Sequence, residues 1–498
     1  MIKRHALVRP LGSVPDALAL HLHLTGGRAD TMFFERPDAP SLLMIGAALR
    51  LECRGQEVRL RAFGAVGTDL LANVADAFPD RITDCRPGEA RLTFPRLDSA
   101  DPQERLTASS AFDLVRFLTA PAAVADKDPF VRVCLGVVAF DHVDLLEDLP
   151  AYAADPLGFP DLLFWLPEEL IVVEPDGSAR LIVSHAGDEE AARKRLEALL
   201  VKCADAPPLP VHAGPAQPQF DDVDLDDRAY EEVVRAAKAH ILAGDVYQIV
   251  PSRTFRARCP DSAAAFAAQR DLDPSPYRFY VSAPDHVLFG CSPETGVRVT
   301  AARGAALEVE VKPIAGTRRR GATADEDDRL EAELRLDEKE LAEHMMLVDL
   351  ARNDVARVSE RGSRRVAELL SVERYARVMH LVSSVRGRLA EALDSVHALQ
   401  ACLNVGTLSG APKLRAITLL RGLERGRRGA YGGAVGWLNG AGEMDTGIVI
   451  RSAVVKDGTA HVRAGAGVVH DSNPAAEAEE TRSKAAALLS VLAGVAQR

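Results

Sequence analysis

The 498-residue chain lacks the features that mark membrane, secreted and nucleic-acid-binding proteins. No stretch approaches the roughly 18 consecutive apolar residues of a transmembrane helix, and Pro10 and Gly12 interrupt the N-terminus before a signal-like segment can form. The formal net charge of -12 disfavours nonspecific nucleic-acid binding, because neutralising phosphates requires a basic surface. We therefore expect a cytoplasmic protein that binds neither membranes nor nucleic acids.

Common cofactor and catalytic signatures are missing as well. The seven cysteines are odd in number, far apart and never arranged as CxxC, which disfavours a disulfide framework, a zinc site or a redox pair. The sequence shows no glycine-rich nucleotide loop, no internal repeat, and no Ser-His-Asp or Cys-His arrangement. With 47% hydrophobic and 27% charged residues, the composition is typical of a globular protein of several domains.

A proline-rich, acidic stretch at residues 204–224 divides the sequence. Before it, strand-like apolar runs alternate with short helices and turns. After it, Asp227 is predicted to cap a helix. Strand-like and helical segments then mix without a regular βαβ cadence, which favours a layered α+β fold. We place the two regions at residues 1–205 and 226–498.

Two helical segments carry paired carboxylates. DEKELAEHMMLVDLARND is predicted to be helical and places Glu340 and Glu343 on one face. Near the C-terminus, a helix predicted to start at Asn473-Pro474 carries Glu477 and Glu480 at the same spacing. Such pairs suit a hard divalent cation, although glutamate pairs on helices are more often solvated surface.

Other segments offer groups suited to binding an anion. In AGAGVV, Gly465 and Gly467 allow backbone amides to approach a carboxylate, or they form a simple tight turn. A predicted hairpin presents Tyr431 and Arg451, a phenol and a guanidinium that suit a carboxylate but are individually common on surfaces.

Two further polar residues have both a functional and a structural interpretation. In GTLSGAPKLRA, Thr407 and Ser409 face an anion at a helix N-terminus or simply cap that helix. His380, with apolar neighbours, is an acid-base group or a buried structural histidine.

Taken together and in this order, seven segments resemble the chorismate-utilising enzyme family over residues 226–498. They are PIAGTRRRG, KELAEHMMLVDLARND, VMHLVS, GTLSGAPKLRA, RGAYGGAVG, MDTGIVIRS, and AGAGVV followed by E(x)2E(x)3K. The N-terminal region resembles, more weakly, that of anthranilate synthase large subunits, through AFDLVRFL and the strand-rich run from Thr31 to Val66. The resemblance implies the chorismate-binding fold, with mostly antiparallel layered sheets flanked by helices, and an N-terminal region containing a regulatory pocket.

Two positions in the motifs distinguish reactions within this family. Gln248 stands where the water-using members carry a lysine base, and Ala315 stands where aminodeoxychorismate synthases carry a lysine. The resemblance therefore implies attack by ammonia at C2, as in the anthranilate synthases of tryptophan biosynthesis. Chorismate would give 2-amino-2-deoxyisochorismate, and then anthranilate and pyruvate.

The resemblance also assigns a role to each motif residue. Glu294 would protonate the leaving 4-hydroxyl, and His380 would assist removal of the C2 proton. The implied catalytic residues are His380, Glu294, Thr407 and Gln248; the substrate-binding residues are Gly316, Thr317, Tyr431, Arg451, Gly465, Gly467 and Lys484; the Mg2+ ligands are Glu343 and Glu480, supported by Glu340 and Glu477.

The family pattern further implies a partner, since no glutaminase cysteine nucleophile is visible. Ammonia would come from a glutamine amidotransferase subunit, in a heterotetramer of two large and two small subunits. Two alternatives stay open. The enzyme stops at the aminated intermediate, or the chain is an inactive regulatory subunit, which the presence of Glu343, Glu480, Lys484 and Arg451 disfavours.

The regulatory pocket departs from the family pattern. The relatives' LLES, PSPYM and GGAVGY segments correspond here to MFFER at residues 32–36, PSPYR at residues 274–278, and GGAVGW. Arg36 and Arg278 add bulk and positive charge to a site that accepts an uncharged indole. We hypothesise a tryptophan-insensitive enzyme that supplies a specialised pathway; alternatively, the pocket is repacked and still binds an amino acid. The altered pocket comprises Glu35, Arg36, Pro276, Tyr277, Arg278 and Trp437.

Overall fold

The computed structural model describes residues 5–120, 128–210, 214–302, 306–374 and 378–497. Its α-helices are α1 (Ala17–Thr25), α2 (Gly64–Ala77), α3 (Pro102–Thr107), α4 (Phe112–Thr119), α5 (Glu189–Ala204), α6 (Asp227–Leu242), α7 (Ser262–Leu272), α8 (Ala324–Leu336), α9 (Glu338–Ala356), α10 (Ser395–Cys402), α11 (Lys413–Leu423) and α12 (Pro474–Ala496). Its strands are β1 (His5–Ser13), β2 (Thr31–Glu35), β3 (Ser41–Arg54), β4 (Glu57–Ala62), β5 (Ile82–Arg86), β6 (Glu89–Thr93), β7 (Cys134–Val138), β8 (Leu162–Val173), β9 (Ser178–His185), β10 (Asp222–Val223), β11 (Gln248–Ile249), β12 (Ser252–Arg258), β13 (Tyr277–Ser282), β14 (Val287–Ser292), β15 (Thr295–Ala301), β16 (Leu307–Val311), β17 (Ile314–Arg319), β18 (Arg365–Arg374), β19 (Val378–Arg388), β20 (Gly410–Ala411), β21 (Ala434–Leu438), β22 (Met444–Ile448), β23 (Ser452–Lys456) and β24 (Thr459–Gly465).

Two antiparallel sheets share the long strands β3 and β8. The first sheet runs β10-β12-β24-β23-β14-β13-β2-β3-β8-β9-β1. The second runs β5-β6-β4-β3-β8-β7-β21-β22-β15-β16-β19-β18, with β17 following β16 along the same edge of β19. Register shifts in β3 between Met44 and Leu49 bend the strand where it passes from one sheet to the other.

The two sheets and two groups of helices form four layers. Apolar residues such as Phe34, Trp165 and Phe279 pack between the sheets. Helices α1, α5, α7 and α12 cover the outer face of the first sheet, and α2, α4, α9 and α10 cover that of the second. Strand β12 illustrates this packing, because its alternate residues Phe255 and Ala257 point towards the helices and are buried there. The predicted α+β fold of layered antiparallel sheets is confirmed.

Strands from both predicted regions are hydrogen-bonded neighbours. Strand β2 pairs with β13, and β7 pairs with β21. Residues 1–205 and 226–498 therefore contribute to the same sheets, while the boundary between them stays a prediction.

Several local predictions are met and two are corrected. The predicted helix of the DEKELAEH segment forms as α9, and Asn473 caps α12 with Pro474 in its first turn. Asp226, not Asp227, caps α6. Tyr431 and Arg451 were predicted within the strands of a hairpin, but they lie just outside β21 and β22. None of the described helices combines the length and apolarity needed to span a membrane.

Candidate active site

Glu294 lies in the short connection between β14 of the first sheet and β15 of the second. Its side chain is buried, and Oε1 accepts a hydrogen bond of 2.7 Å from Oγ1 of Thr407. Burial raises its pKa from 4.5 to about 7, although the hydrogen bond from Thr407 and the charge of Lys484 act in the opposite direction. A carboxyl group with this pKa still carries a proton in a large fraction of molecules at neutral pH, so it can act as an acid.

His380 lies on β19, opposite Thr317 of β17 in the register of the sheet. Its Nδ1 is 3.0 Å from Oγ1 of Thr317 and 3.2 Å from the carbonyl oxygen of Gly316. Burial lowers the pKa of the imidazole, and the nearby charge of Arg451 lowers it further. A neutral imidazole at physiological pH is able to accept a proton.

The connection before β23 and the middle of α12 bring together groups that suit a carboxylate. Arg451 precedes β23 with φ of +50°, and its Nη1 donates to the carbonyl oxygen of Lys484 at 2.8 Å. Nζ of Lys484 donates to the carbonyl oxygen of Gly465 at 2.9 Å. A Cβ at Gly465 would lie 3.2 Å from Oη of the buried Tyr431. All four predicted groups therefore converge.

Gln248 lies against the same glycine loop. A Cβ at Gly467 would come within 2.7 Å of its Nε2, so only glycine admits the amide at this distance. The side chain of Gln248 is 6% exposed, and its Oε1 accepts no hydrogen bond within the part of the chain that the structure describes. A buried acceptor without a donor costs free energy unless a ligand supplies the donor.

The four predicted metal ligands come from two helices. Glu340 and Glu343 lie on α9, and Glu477 and Glu480 lie on α12. Burial raises the pKa of Glu343, and the charges of Glu340, Glu477 and Glu480 raise it further. Glu477 shows the same shift through burial and the charge of Glu480. The two helices therefore hold mutually repelling carboxylates close to one another.

Positive side chains compensate part of this negative charge. Nζ of Lys484 is 2.7 Å from Glu480, Lys339 is 3.7 Å from Glu343, and Arg318 is 3.4 Å from Glu340. Across the described ranges, no three His, Cys, Asp or Glu side chains lie close enough to hold a metal ion together. The donor set nevertheless suits a hard cation, which prefers a few carboxylates completed by water and substrate oxygens.

One predicted anion contact is not made. The hydroxyl of Ser409 was predicted either to face an anion or to cap the following helix. It does neither, because it is buried and donates to the carbonyl oxygens of Asn404 and Val405. Thr407, two residues earlier, is the one that reaches Glu294.

At the position of the predicted regulatory pocket, side chains of the chain itself contact one another. Arg36, 5% exposed, places its guanidinium 4.2 Å from the ring centre of Tyr277. It forms ion pairs with the buried Asp445 at 2.9 Å and with Asp38 at 2.6 Å. Oη of Tyr277 donates to Asp445 at 2.9 Å. The arginine therefore has a complete set of partners between the two sheets.

The remaining pocket residues surround this group. Glu35 pairs with Arg270 at 2.6 Å and with Arg278 at 3.0 Å. Pro276, half-buried, precedes β13. Trp437 packs edge-on against Phe130, with ring centres 5.1 Å apart.

Sequence reasoning missed the partners of these groups. Asp445 and Arg270 were not singled out, and only the burial of Asp445 on β22 shows that it needs a cation opposite it. A buried network behind Tyr431 was also missed. Glu424 pairs with Arg428 at 2.6 Å and with Arg463 at 2.9 Å, and it accepts a hydrogen bond from the amide of Ser252, which lies opposite Gly465 in the register.

Comparisons with known proteins identify the family to which the chain belongs. The profile of chorismate binding enzymes matches residues 89–490. The chain is 43% identical to anthranilate synthase component 1 of Vibrio cholerae over 96% of this chain and 94% of that protein. It is 44% identical to the pyocyanine-specific component 1 of Pseudomonas aeruginosa, over 96% and 92%. The crystal structure of anthranilate synthase component I from Streptococcus pneumoniae superposes with a TM-score of 0.73 at 30% identity, covering 91% of this chain and 93% of that one.

Proposed function

The chain belongs to the chorismate-binding enzyme family, as an anthranilate synthase component 1, and we propose the following reaction for its site. The enzyme converts chorismate and ammonia to anthranilate and pyruvate, with 2-amino-2-deoxyisochorismate as the intermediate. Chorismate is a dianion, and the cationic groups of the site explain how an acidic protein binds it.

Binding and the first chemical step use the groups around the glycine loop. Tyr431, Arg451 and Lys484 hold the carboxylates of chorismate. Ammonia bonds to C2 as the bond from C4 to its hydroxyl breaks, and the protonated Glu294 gives its proton to the leaving oxygen, so that water departs. Oε1 of Gln248 accepts an N–H of the incoming ammonia, which supplies the donor that this buried oxygen lacks.

His380 acts in the second step. The neutral imidazole accepts the C2 proton as the bond from the ring to the enolpyruvyl oxygen breaks. The departing group takes up a proton at its methylene carbon and becomes pyruvate. The hydrogen bond between Thr317 and His380 keeps the ring in place for this transfer.

Glu343 and Glu480 would hold Mg2+, with Glu340 and Glu477 supporting it through water. When bound, the ion withdraws electron density through the ring carboxylate of the substrate. Release of the Lys339 and Lys484 ion pairs would free the two ligands, and neutralisation would relieve the repulsion that raises the pKa of Glu343.

The observation that carries the proposal is the buried Glu294, with a pKa of about 7 and a hydrogen bond from Thr407. The experiment incubates the purified chain with chorismate, Mg2+ and ammonium chloride, and follows anthranilate fluorescence and pyruvate together. Equal amounts of both products support complete conversion. Loss of chorismate without either product would favour an enzyme that stops at the aminated intermediate, and no loss would contradict catalysis.

The designation "component 1" of the relatives implies a component 2 partner. We propose that a glutamine amidotransferase subunit supplies ammonia in a heterotetramer of two large and two small subunits. Light scattering of the mixed, purified subunits measures this stoichiometry directly. A complex of one large and one small subunit would contradict it.

We further propose that tryptophan does not inhibit the enzyme and that its anthranilate enters a specialised pathway. The support is Arg36, which fills the pocket, stacks on Tyr277 and neutralises Asp445. A pyocyanine-specific component 1 is among the relatives, at 44% identity. Half-inhibition of the wild-type enzyme at low micromolar tryptophan would contradict the proposal.

A further inference from the structure

A cavity of about 350 Å³ lies behind Tyr431, and the proposed reaction does not use it. Its floor is formed by β12, β23 and β24 of the first sheet, and its walls by the loops around residues 154–157 and 425–428. Volumes of this size accommodate small organic molecules.

The floor of the cavity has an unusual composition for the inner face of a sandwich. Much of this face is apolar, but here it presents Thr254, Arg256, His461 and Arg463. In the sheet register Arg256 lies directly opposite His461, and Thr254 lies opposite Arg463. Two basic side chains directly opposite each other gain nothing from their pairing, and they repel when both are charged.

Two carboxylates, Asp222 and Asp224, also line the cavity. Asp222 pairs with Arg256, and Oδ1 of Asp224 accepts a hydrogen bond from the amide of Thr254. Arg463 is satisfied by Glu424, by Ser252 and by the carbonyl oxygen of Arg427. In contrast, the contacts of the described residues include no hydrogen bond to the ring of His461 and no ion pair of Arg425.

The surroundings of His461 are positive. Burial lowers the pKa of His461, and Arg256, Lys456 and His286 lower it further. The carboxylate of Asp222, which pairs with Arg256, is 62% exposed and lies at the outer edge of the sheet. An anion bound in the cavity would compensate the positive charge around His461.

We propose that the cavity is a second binding site, which takes a small organic carboxylate. Its carboxylate is held by Arg425, Arg256 and His461, and its apolar part lies against Leu157 and Val454, which also line the cavity. Nothing in this proposal depends on the reaction catalysed.

The position of the cavity connects it to the active site. Tyr431 forms part of its wall, and Ser452, another wall residue, directly follows Arg451 in the chain.

The test is a fluorine NMR titration with 4-fluorobenzoate as the carboxylate probe. We compare the wild-type chain with the Arg425→Ala/His461→Ala double variant. Arg361→Ala removes another exposed arginine, one that does not line the cavity, and serves as the matched control. Arg451→Ala identifies any probe bound in the active site.

The proposal requires saturable binding to the wild type that the double variant weakens at least tenfold and Arg361→Ala leaves unchanged. A tenfold loss is what removing a charge-assisted hydrogen bond produces. Absence of saturable binding up to about 20 mM probe, where even weak sites fill, would overturn it. Binding that only Arg451→Ala removes would overturn it too, because the probe would then occupy the active site.

Discussion

Replacing Glu294 by glutamine should change how stability depends on pH. Its carboxyl keeps its proton in the fold up to a pH of about 7, whereas in the unfolded chain it ionises around 4.5. Its contribution to stability is therefore full below pH 4.5 and is lost as the pH rises through 7. The whole shift corresponds to about 3 kcal/mol, at about 1.4 kcal/mol for each pH unit.

The measurement is urea unfolding of the wild type and of Glu294→Gln at pH values of about 5.5 and 8.5. Between these pH values the wild type should lose about 2 kcal/mol through Glu294, a loss absent from the variant, so that their difference in unfolding free energy shifts by this amount. All other titrating groups cancel in this comparison. The exposed Glu197 on α5, changed to glutamine, is the matched control.

A shift below about 0.5 kcal/mol would refute the reasoning, because Glu294 would then ionise almost as it does in water. Activity provides an independent readout of the same group. Glu294→Gln should lower kcat by about 10² to 10⁴-fold, the usual contribution of a general acid, with a smaller effect on KM for chorismate.

Three further perturbations test other parts of the site. Gln248→Leu should raise the KM for ammonia about tenfold, while the KM for chorismate stays within about twofold. Steady-state kinetics with each substrate varied in turn measures both constants. Equal increases in the two KM values would contradict the contact between Gln248 and ammonia. Glu480→Gln should abolish Mg2+-dependent turnover with an unchanged circular dichroism spectrum, and normal activity would contradict the metal assignment. Asp445→Asn leaves the buried Arg36 without its main counter-charge and should lower the free energy of unfolding in urea by about 3 kcal/mol. The control Asp38→Asn, at an exposed partner, should lower it by less than about 1 kcal/mol. Equal losses would show that Asp445 is not the main partner.

Local sequence signals predicted the elements better than their arrangement. The start of α12 at Asn473 and Pro474 follows from backbone chemistry within a few residues. The pairing of β2 with β13 does not, because it joins residues more than 200 positions apart and no local pattern encodes that register.

In the site, too, individual residues could be predicted from the sequence, but contacts between distant residues could not. Glu294, Thr407 and His380 were predicted from motifs, and the structure places each beside a polar partner. The counter-charge of Arg36 was missed because a single aspartate in a strand, Asp445, usually indicates a solvated surface. Only the folded chain shows that the arginine and the aspartate meet in the core.

The pairing of β7 with β21 imposes an order of events during synthesis. The edge of Cys134–Val138 gains its partner, Ala434–Leu438, only after about 300 more residues have been translated, which takes roughly 15–60 s at about 5–20 residues per second. Throughout that interval a strand of entirely buried residues leaves the ribosome with one open edge. Expression at lower temperature or with a chaperone should therefore increase the soluble yield of the full chain, and any fragment ending before residue 434 should aggregate.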